Sequence, residues 1–432
     1  MQLKKKQGRH LRGRLLASSC ALLATAGARA ATDDWSFDSG LLYYAESDRV
    51  KATEPTVIVK RKLGDESSLS ARFVVDSLTG ATPTGAMPSS RGASVTGASG
   101  TVSSTAGAFP LASFRDLRSA VSATWSRRMA SNWQLDVGGN FSVERDFRSH
   151  GANALLARDF NRHNTTLSLG ASYESDNIIP HGGVQLPLGE VGSLDTLIAS
   201  DAHKTVKGVL AGITQVMNQS WIASLNYSYS SSHGYLNDPY KVISVLNTHL
   251  GGLIPNFGPP IGGFGPPIGE PVISLYENRP DTRNERAVYL VNKAYFAGSV
   301  AELSYRYGRD DWGIHSNTYE LRYRVPFGEN FYFQPHLRYY HQTAADFYQR
   351  TLLDSDTLPV YVSADYRLAN ITGRTIGLEF GEDVETGSVL RVRLERYVQS
   401  GKIDPRSLVG VQLDYNSFPD LKAYIAQISY SF

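Results

Sequence analysis

The sequence predicts an all-β protein, a transmembrane antiparallel β-barrel of about 16 strands, within a range of about 14 to 18. Two observations predict it. Segments of about ten residues alternate apolar and polar positions, and short turns and long polar loops join them in turn. In such a barrel the apolar rows face lipid, the polar rows face the lumen, and closure satisfies every backbone group in hydrocarbon. We expect the long loops to be external and the short turns periplasmic.

The final segment of the chain shows this alternation clearly. One row consists of Tyr424, Ala426, Ile428, Tyr430 and Phe432, and the other of Ile425, Gln427, Ser429 and Ser431. The pattern is similar to the closing strand of Gram-negative outer-membrane barrels, whose terminal aromatic residue is read during assembly. We therefore expect the barrel-assembly machinery to recognise Tyr430 and Phe432.

The N-terminal residues 1–30 are predicted to be a secretory signal peptide. The basic leader consists of Lys4, Lys5, Lys6, Arg9, Arg12 and Arg14. A short apolar run follows, and Ala28-Arg29-Ala30 is a small-x-small cleavage site. Lipidation at Cys20 is the competing interpretation, but it would leave almost no apolar run before the cysteine. We expect cleavage after Ala30, which leaves 31–432 as a single barrel domain exported to the outer membrane.

Removal of this leader changes the charge and the cysteine content. The chain has 43 basic and 41 acidic residues. Residues 1–30 hold seven basic residues, the six of the basic leader and Arg29, and no acidic ones, so the mature chain has a formal charge of −5. This balance indicates no nucleic-acid partner. Cys20 is the one cysteine, so the mature chain has no disulfide, no thiolate metal site and no cysteine nucleophile. We expect no metal and no cofactor.

The alternating runs define the predicted strands in chain order. There are 15 of them, around residues 35–43, 57–59, 69–75, 117–125, 133–141, 165–173, 205–217, 221–229, 287–291, 301–307, 319–323, 331–339, 376–380, 390–394 and 424–432. Trp125 and Trp133 fall beside one turn, as in the aromatic girdle of membrane barrels. In the run at 287–291 we take Ala287, Tyr289 and Val291 as the apolar row.

The connections between these runs complete the prediction. Polar loops are expected at 77–114, 144–163, 231–284 and 343–373, the first mobile except at its ordered beginning, 76–86. Residues 174–204 show no convincing strand. An even strand number is needed if both chain ends lie on one side, so we place one hidden strand within 174–204.

Four short stretches carry a family resemblance. They are DSLTGATPTGA (76–86), GYLNDPYK (234–241), YENRPDTR (276–283) and SADYRL (363–368). With the leader and the final strand, they resemble an uncharacterised family of Gram-negative outer-membrane β-barrels, classed as domain of unknown function 3570. The resemblance spans nearly all of the mature chain. It implies the fold and the location and no activity.

These stretches place opposite charges at the bases of the external loops. The residues are Asp76, Asp238, Lys241, Arg279, Asp281, Arg283, Asp365 and Arg367. One interpretation is an external collar of salt bridges that fixes the loop bases. The other is a ligand or cation site at the barrel mouth.

The polar rows of the last strands predict a charged lumen wall. Its members are Arg306, Arg322, Arg324, Arg338, Arg391, Arg393, Glu302, Glu320 and Glu395. Lumen charges tune the selectivity of a pore. The alternative is that neighbouring Arg and Glu side chains pair across strands and fill the interior.

Enzyme interpretations find little support. A barrel hydrolase would need His and Ser on one strand face within hydrogen-bond reach. His315 and Ser316 are adjacent and therefore on opposite faces, while Ser231 and His233 have the right spacing at a strand end. His336 and His341 lack a third ligand at metal spacing, and we expect both to be lumen polar groups. We predict that the chain is not an enzyme.

Three functional hypotheses follow. The first is an outer-membrane channel or transporter for small polar solutes, with lumen arginines that favour anions. The second is a non-conducting barrel that serves as a scaffold or receptor for an envelope partner. The third is a barrel-embedded hydrolase that uses Ser231 and His233.

Overall fold

The computed structural model describes residues 34–432 except 48, 91, 93, 98–99, 104–106, 109, 250–266, 386, 403–407 and 416–417. The predicted signal peptide, 1–30, lies outside the described residues, so its cleavage after Ala30 stays a prediction. In the described part of the chain, no helix has the length and the apolar character needed to cross a membrane.

Sixteen strands form one closed barrel in which every neighbouring pair is antiparallel. They are β1 (Trp35–Glu46), β2 (Lys51–Lys62), β3 (Ser67–Pro83), β4 (Leu111–Met129), β5 (Trp133–Val143), β6 (Phe147–Phe160), β7 (Thr165–Ile178), β8 (Ala202–Asn218), β9 (Trp221–Gly234), β10 (Thr282–Phe296), β11 (Ser299–Asp310), β12 (His315–Phe327), β13 (Phe331–Gln342), β14 (Asn370–Glu385), β15 (Ser388–Lys402) and β16 (Leu421–Ser431). The predicted fold class and the predicted number of strands are confirmed.

Strands β1 and β16 close the barrel along the predicted final segment. Their register pairs Leu41 with Ile428. Beyond the ladder, the backbone N–H of Phe37 donates to the carbonyl of Phe432 over 2.8 Å, and Phe432 donates back over 2.9 Å. The two rings stack with centroids 5.2 Å apart. Because first and last strands pair, the sheet has no free edge.

The two faces of the barrel differ in chemistry, because period-two alternation puts one row of each strand outside. The outer row is apolar and exposed, for example Phe73, Leu169 (64% exposed), Ile376 (61%) and Leu394 (60%). The inner row carries the Ser, Asn, Arg and Glu side chains. The resulting surface is an apolar belt around a polar lumen.

The strand missing from the sequence prediction is β6, so the prediction of a polar loop at 144–163 is wrong. Its inner row contains Leu155 and its outer row contains Arg148 and Arg158, with small residues between them. The contrast between the two rows is therefore weak. The alternation of apolar and polar residues therefore does not identify β6, although its pairing with β5 and β7 is continuous.

The region 174–204 contains no further barrel strand, and the placement of the hidden strand there is wrong. Strand β7 runs to Ile178 and β8 starts at Ala202. Between them lies a small hairpin of Val184–Gln185 with Leu197–Ala199. Likewise the loop predicted at 77–114 is shorter than expected, because β3 and β4 stay paired up to Pro83 and Leu111. Its beginning, 76–86, is ordered as predicted.

One strand presents the face opposite to the one predicted. In β10, Ala287, Tyr289 and Val291 pair with Ser228, Asn226 and Ser224 of β9, and so face the lumen. The outer row contains Val288 and Leu290 instead. Both rows of this strand are largely apolar in its central part. The small difference in polarity between them is too weak to identify the outer row.

The connections divide the barrel into two ends. At one end the turns are short: 63–66, 130–132, 161–164, 219–220, 297–298, 328–330 and 386–387. At the other end lie 47–50, 84–110, 144–146, 179–201, 235–281, 311–314, 343–369 and 403–420. We refer to these as the short-turn end and the long-loop end. Trp125 and Trp133 lie at the short-turn end, beside 130–132.

The long loops fold against one another into an ordered layer, which we call the cap. It consists of the described parts of 84–110, 179–201, 235–281, 343–369 and 403–420. Its centre is a three-stranded sheet in which Val242–Leu246 lies between Pro271–Tyr276 and Leu352–Leu353. The expectation that the loop at 77–114 is mobile beyond its ordered beginning is therefore corrected for its described residues, since Met87 is 1% exposed.

Candidate functional site

The cap has a hydrophobic core of its own. Ile243, Val245, Leu275, Leu352 and Val362 form one buried cluster, and each is at most 4% exposed. Removing this much apolar surface from water stabilises the loops in one arrangement. The cap is therefore a folded unit and differs in this respect from a set of independent loops.

The four stretches that carry the family resemblance meet in this cap. The backbone N–H of Val242 donates to the carbonyl of Thr84 over 2.9 Å. Lys241 donates through Nζ to the carbonyl of Pro83 over 2.5 Å. Arg279 joins the second and third stretches, because its backbone N–H donates to Asn237 Oδ1 over 2.6 Å. Residues far apart in sequence thus form one contact network.

Asp365, from the fourth stretch, is the centre of a buried charge network. Its carboxylate accepts from Arg279 Nη2 over 2.8 Å and from Arg367 Nε over 2.8 Å, and it is 1% exposed. Arg367 also reaches Asp238 over 2.5 Å. Burial alone would raise the pKa of Asp365, but Arg367, Lys241 and Arg279 outweigh it and hold the pKa well below its usual range.

Glu277 is the second buried carboxylate of this network, and the sequence analysis did not select it. It is 2% exposed and accepts from Arg279 Nη2 over 3.0 Å and from Ser363 Oγ over 2.5 Å. Burial raises the pKa of Glu277 to about 7 against the effect of Arg279, with Asp238 and Asp365 acting in the same direction as burial. The sequence feature that could have identified Glu277 is its position two residues before Arg279 in YENRPDTR.

Arg350 is a second residue that the sequence analysis missed. It is 3% exposed and donates to the backbone carbonyls of Gly85 and Ala86. Gly85 has φ of +99°, and a Cβ there would overlap the carbonyl oxygen of Val242. The first stretch therefore needs glycine at this position, because its backbone packs directly on the central cap strand.

The cap spans the mouth of the barrel. Lys241 belongs to the loop between β9 and β10, yet it contacts Pro83 at the end of β3. Strands β3 and β9 are six positions apart in a ring of sixteen. A side chain that joins them must come from a loop that crosses the opening. Loops from distant parts of the ring therefore meet over the opening.

The predicted collar residues occupy four different places. Asp238, Lys241, Arg279, Asp365 and Arg367 form the network described above. Arg283 instead pairs with Asp310 over 2.6 Å and lies over the Trp312 ring. Asp76 lies 3.6 Å from Arg118 on the lumen wall. The Asp281 side chain is exposed and has no ion pair among the described residues.

All nine predicted lumen residues lie on the inner face. A ladder of charges follows β12 to β15, in which His336 lies 3.2 Å from Glu320 and 2.8 Å from Glu395. Glu320 also pairs with Arg322 over 2.7 Å, and Glu395 lies 3.6 Å from Arg393. Glu395 reaches His336 across β14, where Gly377 leaves the space. These groups pair with each other, as the filling hypothesis expects.

Three further lumen residues also have partners. Glu302 pairs with Lys293 over 2.9 Å. Arg324 donates to Gln334 over 3.2 Å and lies 4.0 Å from the centroid of the Tyr332 ring. Arg391 donates to Ser431 Oγ over 2.8 Å. Glu302 is thus neutralised by a lysine, whereas Arg324 and Arg391 keep their positive charge and donate to neutral acceptors.

Arg306 and Arg338 differ from the rest of the wall. Within the described residues, neither guanidinium has a carboxylate within 4.0 Å, and Arg338 has only the face of the Tyr340 ring, 5.5 Å away. Glu320 lies opposite Arg338 in the register but is already occupied by Arg322 and His336. Four arginines of the predicted set, these two with Arg324 and Arg391, thus have no carboxylate within 4.0 Å, and only Arg306 and Arg338 also have no hydrogen-bond acceptor among the described residues.

The remaining histidines lie as their sequence parity requires. His315 and Ser316 are on opposite faces, as predicted. His341 is on the outer face, where it contacts Thr372 at 3.2 Å, so its expected lumen position is wrong. It is five residues from His336, and an odd separation changes the face.

The hydrolase pair Ser231 and His233 shares the outer face at the end of β9. In the part of the chain that the structure describes, no hydrogen bond joins them. The prediction that the chain is not an enzyme stays a prediction.

Comparison with solved structures returns barrels, and 407 chains match. A bacterial polysaccharide outer membrane secretin has 8% identity and a TM-score of 0.45, with 93% of this chain and 100% of that chain covered. The siderophore receptor PirA from Pseudomonas aeruginosa has 10% identity and a TM-score of 0.38, with 86% and 57% covered. The monoaromatic hydrocarbon channel CymD has 8% identity and a TM-score of 0.39, with 93% and 88% covered. Likeness at this level carries no functional information.

Comparison at the level of sequence gives the family. No curated protein matches this chain. A family model described as "Protein of unknown function (DUF3570)" matches residues 12–432. The resemblance seen in the four stretches is confirmed over nearly the whole sequence, and the chain belongs to this family.

Proposed function

We propose that this protein is an outer-membrane barrel that passes small polar solutes and prefers anions. The closed sheet with an apolar outer belt supports insertion in lipid, because such a barrel leaves no backbone group unsatisfied in hydrocarbon. Barrels of 16 to 18 strands are wide enough for an aqueous channel. Assembly into the membrane would use Tyr430 and Phe432 of the closing strand.

The observation that carries the anion preference is the pair Arg306 and Arg338. Fixed charges on a lumen wall select ions of the opposite sign when no counter-charge neutralises them. Every other charged residue of the predicted lumen set has a partner of opposite charge or a hydrogen-bond acceptor. At these two positions the guanidinium groups therefore keep free N–H donors that an anion can accept from.

The cap gives this channel a gate. It crosses the long-loop end and has both an apolar core and a buried charge network. Solute can pass that end only when cap segments separate, so the free energy of opening the cap sets the conducting fraction. We therefore expect low conductance with the cap intact and higher conductance once it is loosened.

The ordered cap also supports a second candidate, a non-conducting barrel that acts as a receptor or scaffold. A folded layer with its own core presents a defined surface to an envelope partner, whereas mobile loops do not. In this case the lumen arginines would be part of the filling.

Planar-bilayer recording of the refolded protein separates the two. The channel predicts discrete current steps, a reversal potential of anion-selective sign in a KCl gradient, and more current after deletion of 343–369. The absence of current from both proteins, with both shown to be folded, would remove the channel and leave the receptor. Loss of lipase activity on changing His233 or Ser231 would instead support the hydrolase.

A further inference from the structure

A cavity of about 310 Å³ lies in the lumen wall directly beneath the cap. Its walls come from the long-loop ends of β9 to β13. Ile314, from the turn between β11 and β12, lines it and belongs to a buried cluster with Trp312 and Phe347. Phe347 is part of the cap, so the cap packs against a residue that lines the cavity.

The inner-row charges of this cavity fall into a paired group and a group with no carboxylate partner, while Arg286 and Arg309 of the lining belong to the outer rows of β10 and β11. Arg283 donates to Asp310 Oδ2 over 2.9 and 2.6 Å and lies 3.3 Å from Glu285. That group uses both lumen-facing carboxylates of the cavity. Arg306 and Arg338 line the same cavity with no ion pair in the described chain.

Arg306 and Arg338, whose guanidinium groups have no ion pair in the described chain, lie near each other in the strand register. In the register, Arg306 faces Thr318, and Thr318 faces Tyr340 on the next strand. Arg338 lies over the Tyr340 ring, 5.5 Å from its centroid. Arg306 and Arg338 are therefore separated by one intervening strand, β12.

The rest of the lining is rich in hydroxyl groups. Ser316 and Thr318 of β12 and Ser228 and Ser230 of β9 contribute them. A ligand that is charged and polar over its whole surface suits these walls better than a carboxylate with an apolar tail. Arginine pairs with phosphate oxygens through two parallel hydrogen bonds, and hydroxyls can donate to the remaining oxygens.

We propose that this cavity binds phosphate, either as the free ion or as the terminal group of a small phosphate ester, with Arg306 and Arg338 as its two cationic ligands. The site names the solute class of the channel, and to that extent it rests on the proposed function.

Titration calorimetry of the folded full-length barrel in detergent tests this site, at constant chloride concentration. The titrants are inorganic phosphate and glycerol 3-phosphate. The expected result is saturable binding of at least one of them, weakened about tenfold or more in R306Q/R338Q. Tighter binding of inorganic phosphate would indicate the free ion, and tighter binding of glycerol 3-phosphate an ester.

A matched control removes two positive charges elsewhere. Arg61 and Arg128 lie at the short-turn end, and R61Q/R128Q should bind phosphate within about twofold of the wild type. R306K/R338K keeps the charge but loses the two-pronged geometry, so its affinity should lie between those of the wild type and R306Q/R338Q.

Two results would overturn the site: no phosphate binding by the wild type, or equal binding by R306Q/R338Q. Recording current from the same samples separates this site from the channel. Binding without current would remove the channel and keep the site. Anion-selective current without phosphate binding would keep the channel and remove the site.

Discussion

Replacement of Asp365 by asparagine should open the cap while the barrel stays folded. The substitution keeps the shape of the side chain but removes the charge that Arg279 and Arg367 share in a buried position. Removing one partner of a buried ion pair costs about 3–5 kcal/mol. At about 1.4 kcal/mol for each factor of ten, cap opening should become more frequent by roughly two to three and a half powers of ten.

Hydrogen exchange at the amides of Val242–Leu246 measures this opening, because that strand is at most 7% exposed. D365N should accelerate exchange there and leave the exchange of the barrel strands unchanged. D281N is the matched control, since Asp281 lies in the same family stretches with an exposed side chain, and it should change opening by less than about 0.5 kcal/mol. Equal exchange in D365N and the wild type would refute the role given to the charge network.

Three further predictions concern the cap and the outer belt. G85A should open the cap, because its Cβ would overlap the central cap strand at a residue with positive φ. G64A is the control, since Gly64 also has a positive φ (+84°) but open space around it, and the substitution should cost only about 1 kcal/mol of strain. Hydrogen exchange in the cap distinguishes the two variants. The folded cap raises the pKa of Glu277 from 4.5 to about 7. Glu277 therefore stabilises the cap fully below about pH 4.5, and this contribution is lost as the pH rises through about 7. Hydrogen exchange in the cap should accelerate from about pH 5 to 8 in the wild type, and its pH dependence should be weaker in E277Q. L225R should destabilise the lipid-inserted barrel by about 2–4 kcal/mol and N226R by much less, since only Leu225 lies on the outer face; urea unfolding in vesicles measures the difference.

The barrel was largely predictable because most strands have rows of clearly different chemistry. In β7, for example, Leu167 and Leu169 alternate with Thr166 and Ser168. Where the contrast is weak the prediction failed, as in β6 and in the choice of face for β10. Strand pairing depends on backbone hydrogen bonds that every residue except proline can make, so a strand can form without a clear pattern.

The cap was not predictable from the same rhythm. Its central strand, Val242–Leu246, is buried on both faces and carries a nearly continuous apolar run, which is typical of an internal strand. That run lies in a loop otherwise rich in Gly and Pro. Its partners, Leu352 and Val362, are more than a hundred residues away, so the core exists only after the loops meet.

The candidate site was half visible in the sequence. The inner-row charges of the last strands were selected by alternation, and the register places them on one face. Which of them lack a partner depends on distances between strands, such as the approach of Glu395 to His336 across Gly377. Alternation cannot supply this information, and it therefore could not single out Arg306 and Arg338.

Cysteine scanning of β7 in lipid vesicles tests the central claim, an apolar outer face in lipid and a polar inner face in water. The mature chain offers a clean background, because Cys20 lies in the predicted signal peptide. A small charged thiol reagent should modify S168C and S172C and leave L167C and L169C unmodified until detergent is added. Equal modification of the two rows in vesicles would contradict the claim.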